Sequence, residues 1–423
     1  MLLSNGQIVA LLVFAATYIL IATGYKERTI AAMGGVGVLW ALEILDQKEM
    51  IAYVDLNALG LLFGMMVIVG TLKETRFFTW LGMLVANLCG CRPRMLFLAF
   101  FALAAGLSAI LDNVTTVLFM VAVTIDVAEL LKVNPRPYII GEIIASNMGG
   151  AATLVGDPPN IMIASATGLT FIDFLVNLGP VVAAGLLASI LFLFYYYRKE
   201  LVDRECVKVS LDSSDIIQDL TLFRVGIGTL VVTCVLFVFH GMLDLAPSVI
   251  ALTAAAFLLF VGGEKMPRIL EDIEWGTLIF FASLFVVVGG LEKTGVISAV
   301  SGMVSSRVGT DQLLLTTTVL WLSSAGSAVI DNIPFVASFI PLLKDLSGSG
   351  LGGDVVWWAL ALGAGFGGCG TPIGASANVV ATGIAAKRGL SIGFKDYVKV
   401  GMAVLLITTT IAYLLLLAMH FLL

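Results

Sequence analysis

The chain alternates long apolar runs with short polar breaks. In the first half the runs fall at roughly 8–23, 29–45, 56–72, 95–111, 114–131, 138–167 and 174–197. Several reach the ~20 helical residues that cross a hydrocarbon core of ~30 Å. Lipid offers backbone amides no partner, so the spanning elements must satisfy their own hydrogen bonds, which excludes open sheets. The pattern therefore predicts an all-α integral membrane protein. The first run, Ile8 to Thr23, has no basic segment ahead of it and no small-residue cleavage site behind it. It reads as a retained span rather than a signal peptide.

The polar breaks recur, and this repetition organises the chain. Asp55 to Thr75 lies over Glu274 to Thr294 at an offset of 219, with Gly70 on Gly289 and Leu72 on Leu291. Asp112-Asn113-Val114-Thr115 falls on Asp331-Asn332-Ile333-Pro334 at the same offset. One residue is then lost, and Gly149, Gly150, Thr153, Gly156 and Asn160 fall on Gly367, Gly368, Thr371, Gly374 and Asn378. Each half is expected to hold about five transmembrane helices and a re-entrant hairpin turning at its Asp-Asn pair. The expected organisation is a first repeat over 1–197, a charged linker over 198–219 and a second repeat over 220–423.

Five crossings per half would make the second copy enter from the opposite side, so the repeats are expected to be inverted. Charge supports that topology. With both chain termini outside, 19 of the 23 Lys and Arg fall on the cytoplasmic side, leaving Lys48, Lys293, Arg307 and Lys344 outside. The linker is then cytoplasmic and the location a cell (inner) membrane. A composition of 59% hydrophobic and 12% charged residues excludes a water-soluble domain. Five scattered cysteines make neither a disulfide framework nor a zinc site, and no metal or cofactor is expected. Nothing points to nucleic acid. No GxxxxGK[ST] loop is present, so any ATP coupling would come from a cytoplasmic ATPase subunit docking on the basic loops.

Breaking a helix in the bilayer exposes backbone groups costing several kcal/mol each, which needs a reason. In transporters the reason is a ligand held by half-helix ends. Pro158 and Pro159 supply the break in the first half, and Gly367, Gly368, Gly370, Pro372 and Gly374 supply it in the second. Four acids lie at mid-membrane and are proton-coupling candidates: Asp112, Glu142, Asp157 and Asp331. Asp112 and Asp331 form a symmetric pair, while Asp157 faces only Ala375 across the repeat. A simple helix cap is the competing role for each Asp beside an Asn. Asn113, Thr115, Thr153, Gly156, Asn160, Asn332, Thr371 and Asn378 complete the expected substrate or ion site. Cys369, inside the second break, reads as a small packing residue or as a thiol contact. No Lys or Arg stands beside any break in the sequence.

The motifs LDNVTT (111–116), GDPPN (156–160), IDNIPF (330–335) and GTPIGASANVV (370–380) resemble the ion transporter superfamily, specifically its arsenite-permease and P-protein-like branch. About thirty residues carry the likeness, all in the four breaks. The resemblance implies hairpin tips and unwound helices around one central site, carried between leaflets by an elevator-like domain, often in a homodimer. It implies secondary transport rather than catalysis, with arsenite or antimonite as cargo and a proton or sodium ion as coupling partner. Sodium/proton antiport and anion transport are the alternatives. The chain lacks the Ser-Asn-Thr tips of sodium-coupled dicarboxylate carriers and the Asn-Asp-Gly tip of some bacterial arsenite permeases. An intramembrane aspartyl protease using Asp112 and Asp331 would want a GxGD pattern, and Leu154-Val155-Gly156 precedes Asp157 instead.

Overall fold

The computed structural model describes residues 4–89, 92–202, 216–308, 311–348, 350–351 and 353–422. Among them every regular element is helical. The first ten helices are α1 (Asn5–Thr23), α2 (Arg28–Ala41), α3 (Gln47–Tyr53), α4 (Leu56–Glu74), α5 (Phe77–Leu88), α6 (Pro93–Ser108), α7 (Asn113–Leu131), α8 (Arg136–Gly150), α9 (Pro158–Thr167) and α10 (Phe171–Tyr196). The next ten are α11 (Leu220–Leu243), α12 (Pro247–Gly262), α13 (Met266–Glu271), α14 (Trp275–Lys293), α15 (Val296–Val308), α16 (Gln312–Ser327), α17 (Asn332–Gly348), α18 (Asp354–Gly368), α19 (Ser376–Lys387) and α20 (Phe394–Leu422). Much of the charged segment that reads as a linker, with Arg204, Cys206 and Lys208, lies outside the described residues, as does Cys91.

Eight helices among the described residues are long and apolar enough to cross a membrane. The limbs α6 and α16, which run into the Asp-Asn turns, are shorter at 16 residues each, whereas the returning limb α7 is one of the eight. The runs at 29–45 and 56–72 are both helical, but the first helix is shorter than its apolar stretch. It stops at Ala41, Glu43 takes φ +56°, and a capping box on Asp46 starts the separate helix α3. The helices α5 and α15 have no counterpart among the expected spans. Their 12 and 13 residues are too short to cross the bilayer, so a search for spans passes over their apolar faces.

Helix pairing follows the repeat. Within each set, α6 packs on α8 as α16 packs on α18, and α5 on α7 as α15 on α17. Between sets the partners exchange: α2 packs on α14 and α4 on α12, while α7 packs on α19 and α17 on α9.

Glycine makes the hairpin limbs possible. A Cβ on Gly149 would run into the Ala105 carbonyl of α6, and one on Gly367 would sit 2.6 Å from the Ser324 carbonyl of α16. A Cβ on Gly156 would meet the Ser108 carbonyl in the same way, at 2.5 Å, and one on Gly374 the Ser327 carbonyl, at 3.0 Å. The glycines of the breaks thus let each hairpin limb lie directly on the unwound backbone, in the manner of small-residue contacts between membrane helices. In sequence these glycines suggest the close approach of a ligand; in the fold the space is taken by the protein itself.

Candidate functional site

Each hairpin turns on its Asp-Asn pair, and the aspartates cap the returning limb. Asp112 Oδ1 accepts from the Thr115 amide at 2.8 Å, and Asp331 Oδ1 accepts from the Ile333 amide at 3.1 Å. These carboxylates satisfy amides that a helix start leaves orphaned. The asparagines beside them are buried and point inward, where they converge on one carboxylate. Asn113 Nδ2 donates to Asp157 Oδ1 at 3.3 Å, and Asn332 Nδ2 donates to Asp157 Oδ2 and Oδ1 at 2.9 and 3.2 Å. Asp157 is 2% exposed, starts α9 without capping it, and takes part in no ion pair among the described residues. Its counterpart Ala375 is fully buried. A symmetric frame therefore holds an unsymmetric acid.

The remaining expected ligands divide by role. Thr153 donates to the Ala109 carbonyl, and Thr371 donates to the corresponding Ala328 carbonyl at 2.6 Å, tying each break to its hairpin. Asn160 Nδ2 bridges the Ala151 and Thr153 carbonyls at 3.2 and 2.8 Å. Asn378 Nδ2 bridges the Gly368 and Thr371 carbonyls at 2.7 and 2.8 Å. These four side chains close the carbonyls that unwinding frees. Gly156 donates its amide to Thr153 Oγ1 at 3.1 Å within the same bend. Thr115 instead lines a small cavity with Lys73, Asp272 and Glu274. Cys369 is buried with Sγ 3.8 Å from the Ile144 carbonyl of α8. Glu142 lies away from the tips in the α7–α8 interface, where the Thr124 hydroxyl donates to it.

Two residues at the centre lie outside the motifs that mark the site in sequence. Asn147 on α8 donates to Asn378 Oδ1 at 2.7 Å and accepts from Asn113 Nδ2 at 3.4 Å, linking both halves to the acid. Its counterpart is Gly365, so the asymmetry that singles out Asp157 marks Asn147 too. Asn147→Ala strands the buried Asn378 Oδ1, while Asn113 keeps Asp157, and is expected to lower stability by about 1–3 kcal/mol, read from a thermal melt of the purified protein.

The second is Arg28, at the start of α2, and it corrects the expectation that no cation stands near a break. Its guanidinium lies 3.8 Å from Asp331 and donates to Ser376 at the start of α19. It also donates to Thr277 of α14 at 3.1 Å and stacks 5.2 Å from the Phe280 ring centroid. Ser376 in turn donates to Asp331. Arg28 is 303 residues from Asp331 and reads in sequence as a loop charge, because nothing local marks a contact that only the fold creates.

The hairpin tips lie beside the first turn of α14, where Glu274 and Thr277 sit. The far end of α14, Phe285 to Glu292, borders a cavity of about 920 Å³ shared with α3, α9 and α17.

Comparison with known proteins agrees with this frame. The fold matches the crystal structure of the YdaH transporter of Alcanivorax borkumensis with a TM-score of 0.61, covering 98% of each chain at 14% identity. An uncharacterized transporter of Mycobacterium tuberculosis is 38% identical over 416 residues, 96% of this chain and 97% of that one. The P protein of Homo sapiens is 32% identical over 501 residues, 97% of this chain and 60% of that protein. The model of the CitMHS family, described as citrate transporters, matches residues 18–363. The chain is thus a multi-pass membrane protein that belongs to the CitMHS citrate-transporter family, within the ion transporter superfamily and near its P-protein-like branch.

Proposed function

We propose that this transporter exports arsenite and antimonite in exchange for protons, its two halves acting as inverted repeats in an elevator-like cycle. The observation that carries the reading is the buried Asp157 carboxylate, which receives both tip amides and has no cation partner among the described residues. A carboxyl in that setting is suited to trade a proton as cargo arrives. Arsenous acid is a neutral trihydroxy solute at neutral pH, and it needs weak polar contacts rather than charge. Asn113 and Asn332 offer them at the tips, whereas Asn160 and Asn378 are committed to backbone carbonyls. Asp112, Asp157, Asp331 and Glu274 against one Arg28 leave an acid excess, which disfavours a bare anion.

With basic loops inside, the first turn of α14 is cytoplasmic and the large cavity faces outward. The tips then stand at the inner level, as in the lower position of an elevator. Arg28 and Thr277, on helices that pack across the repeat, would release Asp331 and Ser376 when the tips rise.

A second reading rests on Arg28 itself. If the Asp331 contact opens, the guanidinium becomes available to a carboxylate, in keeping with the citrate-transporter family. Everted vesicles given labelled arsenite, labelled citrate or a sodium pulse separate the readings, sodium/proton antiport included. Arsenite uptake that stops with a protonophore is the expected result; citrate uptake without arsenite uptake would replace it. Arg28→Gln is expected to keep arsenite exchange and lower stability by about 1.5–3 kcal/mol through its charge-assisted bonds, measured by melting. On the anion reading the same change removes citrate uptake.

A further inference from the structure

The repeat separates what the fold needs from what it does not. Apart from the tip asparagines Asn113 and Asn332, which donate to Asp157, the paired polar residues of the breaks and hairpins serve the backbone. Ser108 donates to the Ser146 carbonyl, and its counterpart Ser327 donates to the Ala364 carbonyl, both at 2.7 Å. The pairs Thr153 with Thr371 and Asn160 with Asn378 behave likewise. Polar residues present in one half alone are not required by that architecture, because its copy stands without them.

In the first half such residues form an interrupted row. Thr124, Glu142, Thr116, Ser146 and Asn147 lie on α7 and α8, Asn147 nearest Asp157 through Asn113, and no hydrogen bond joins Glu142 or Thr116 to Ser146. Across the repeat these positions hold Leu343, Leu360, Phe335, Ala364, Gly365 and Ala375. All six row residues are buried. Ser146 Oγ donates to the Asn113 carbonyl at 3.2 Å, and Asn113 Nδ2 reaches both Asn147 and Asp157. At the other end, Glu142 is fully buried, accepts from Thr124, and leaves Oε2 without a partner; Thr116 Oγ1 is also unpartnered. The second half has buried Ser323 and Ser324 of its own, but no acid at these levels.

We propose that Glu142 is a second proton-binding site, reached from Asp157 along this row, so that the carrier stores a proton apart from its cargo site. The proposal rests on the proton-coupled reading above. Loading breaks the O–H bond of an Asp157 carboxyl protonated from the aqueous side and forms one at Glu142 Oε2, leaving Asp157 as the carboxylate. Release breaks that bond and returns the proton. A lone hydroxyl partner suits a neutral carboxyl, whereas a buried charge there would demand a cation. The charged groups on the helices packed against α8 are Arg94, Asp126, Glu129, Asp173, Asp354 and Lys387. Asp126 pairs with Arg388 at 3.4 Å and Arg94 bonds the Leu201 carbonyl at 2.9 Å, and no hydrogen bond or ion pair joins any of the six to Glu142. The tyrosines Tyr195 and Tyr196 stand at the end of α10, and Cys369 contacts α8 at Ile144.

The test is infrared spectroscopy of the purified full chain, with proton flux in proteoliposomes beside it. The expected result is a carboxylic-acid C=O band that is lost in Glu142→Gln and shifted in Thr124→Val. The double variant Thr124→Leu with Glu142→Leu copies the second half and is expected to fold, yet to release fewer protons per arsenite moved. An unchanged band in Glu142→Gln, or an unchanged proton count in the double variant, overturns the proposal. Should wild type move no arsenite, the cargo reading fails while the infrared comparison still decides the role of Glu142.

Discussion

Asp157→Asn is expected to give a folded protein whose arsenite uptake drops to that of empty vesicles. The amide keeps the volume of the carboxyl, and its oxygen can still accept from Asn332, which lies 2.9 Å from one carboxylate oxygen in the native site. Its nitrogen, however, meets the donor of Asn113 or Asn332, so one hydrogen bond is lost at a cost of about 1 kcal/mol. The proton site disappears altogether, because an amide cannot titrate. Asp157→Ala goes further: it leaves Asn332 buried without an acceptor, at about 1–3 kcal/mol, and leaves Asn113 only its 3.4 Å bond to Asn147. Melting temperature and uptake measured on the same preparations separate the two effects. Asp157→Asn should melt close to wild type and Asp157→Ala well below it, while both are inactive. An active Asp157→Asn would remove the acid from the coupling mechanism.

Gly149→Val carries the largest expected effect on folding. The Cβ alone collides with the backbone carbonyl of Ala105, which cannot rotate away as a side chain could. Two branched methyl groups would push α8 from α6 and pull the break off the hairpin. Overpacking of a tight contact costs about 1–3 kcal/mol, and more where backbone must move. Gly106, on the same limb, is the control, since a Cβ added there would meet nothing within 4 Å. There Gly106→Ala should be neutral or stabilising by about 0.5–1 kcal/mol. Fluorescence-detected size exclusion after heating would show Gly149→Val aggregating early and Gly106→Ala surviving at least as long as wild type.

The architecture is readable in sequence because its signals are local or repeat at a fixed distance. Apolar runs mark spans, and the recurrence of Asp-Asn and of the Gly clusters fixes both hairpins and both breaks. Asn113 and Asn332 stand out in sequence through that recurrence, and Asp157 through its absence, since Ala375 lies opposite it. What stays hidden depends on three-dimensional neighbours. The threonines and amides at Thr153, Thr371, Asn160 and Asn378 look like ligands in sequence, yet they close backbone carbonyls, a demand visible only once the helices are seen to unwind. Arg28 reaches Asp331 because α2 packs on α14 across the repeat, and no local pattern encodes that pairing. Asn147 is within reach of sequence reasoning, since it is a polar residue in an apolar run whose counterpart is Gly365.

The measurement that bears most directly on the coupled carrier is concentrative uptake. Proteoliposomes holding the purified protein are given equal arsenite on both sides and then a proton gradient, acid inside. The account requires arsenite to accumulate in the lumen against its own gradient as protons leave, and to run back out when a protonophore collapses the proton gradient. Arsenite that equilibrates across the membrane but never accumulates would describe a passive pore and contradict the assignment of Asp157 as the coupling acid.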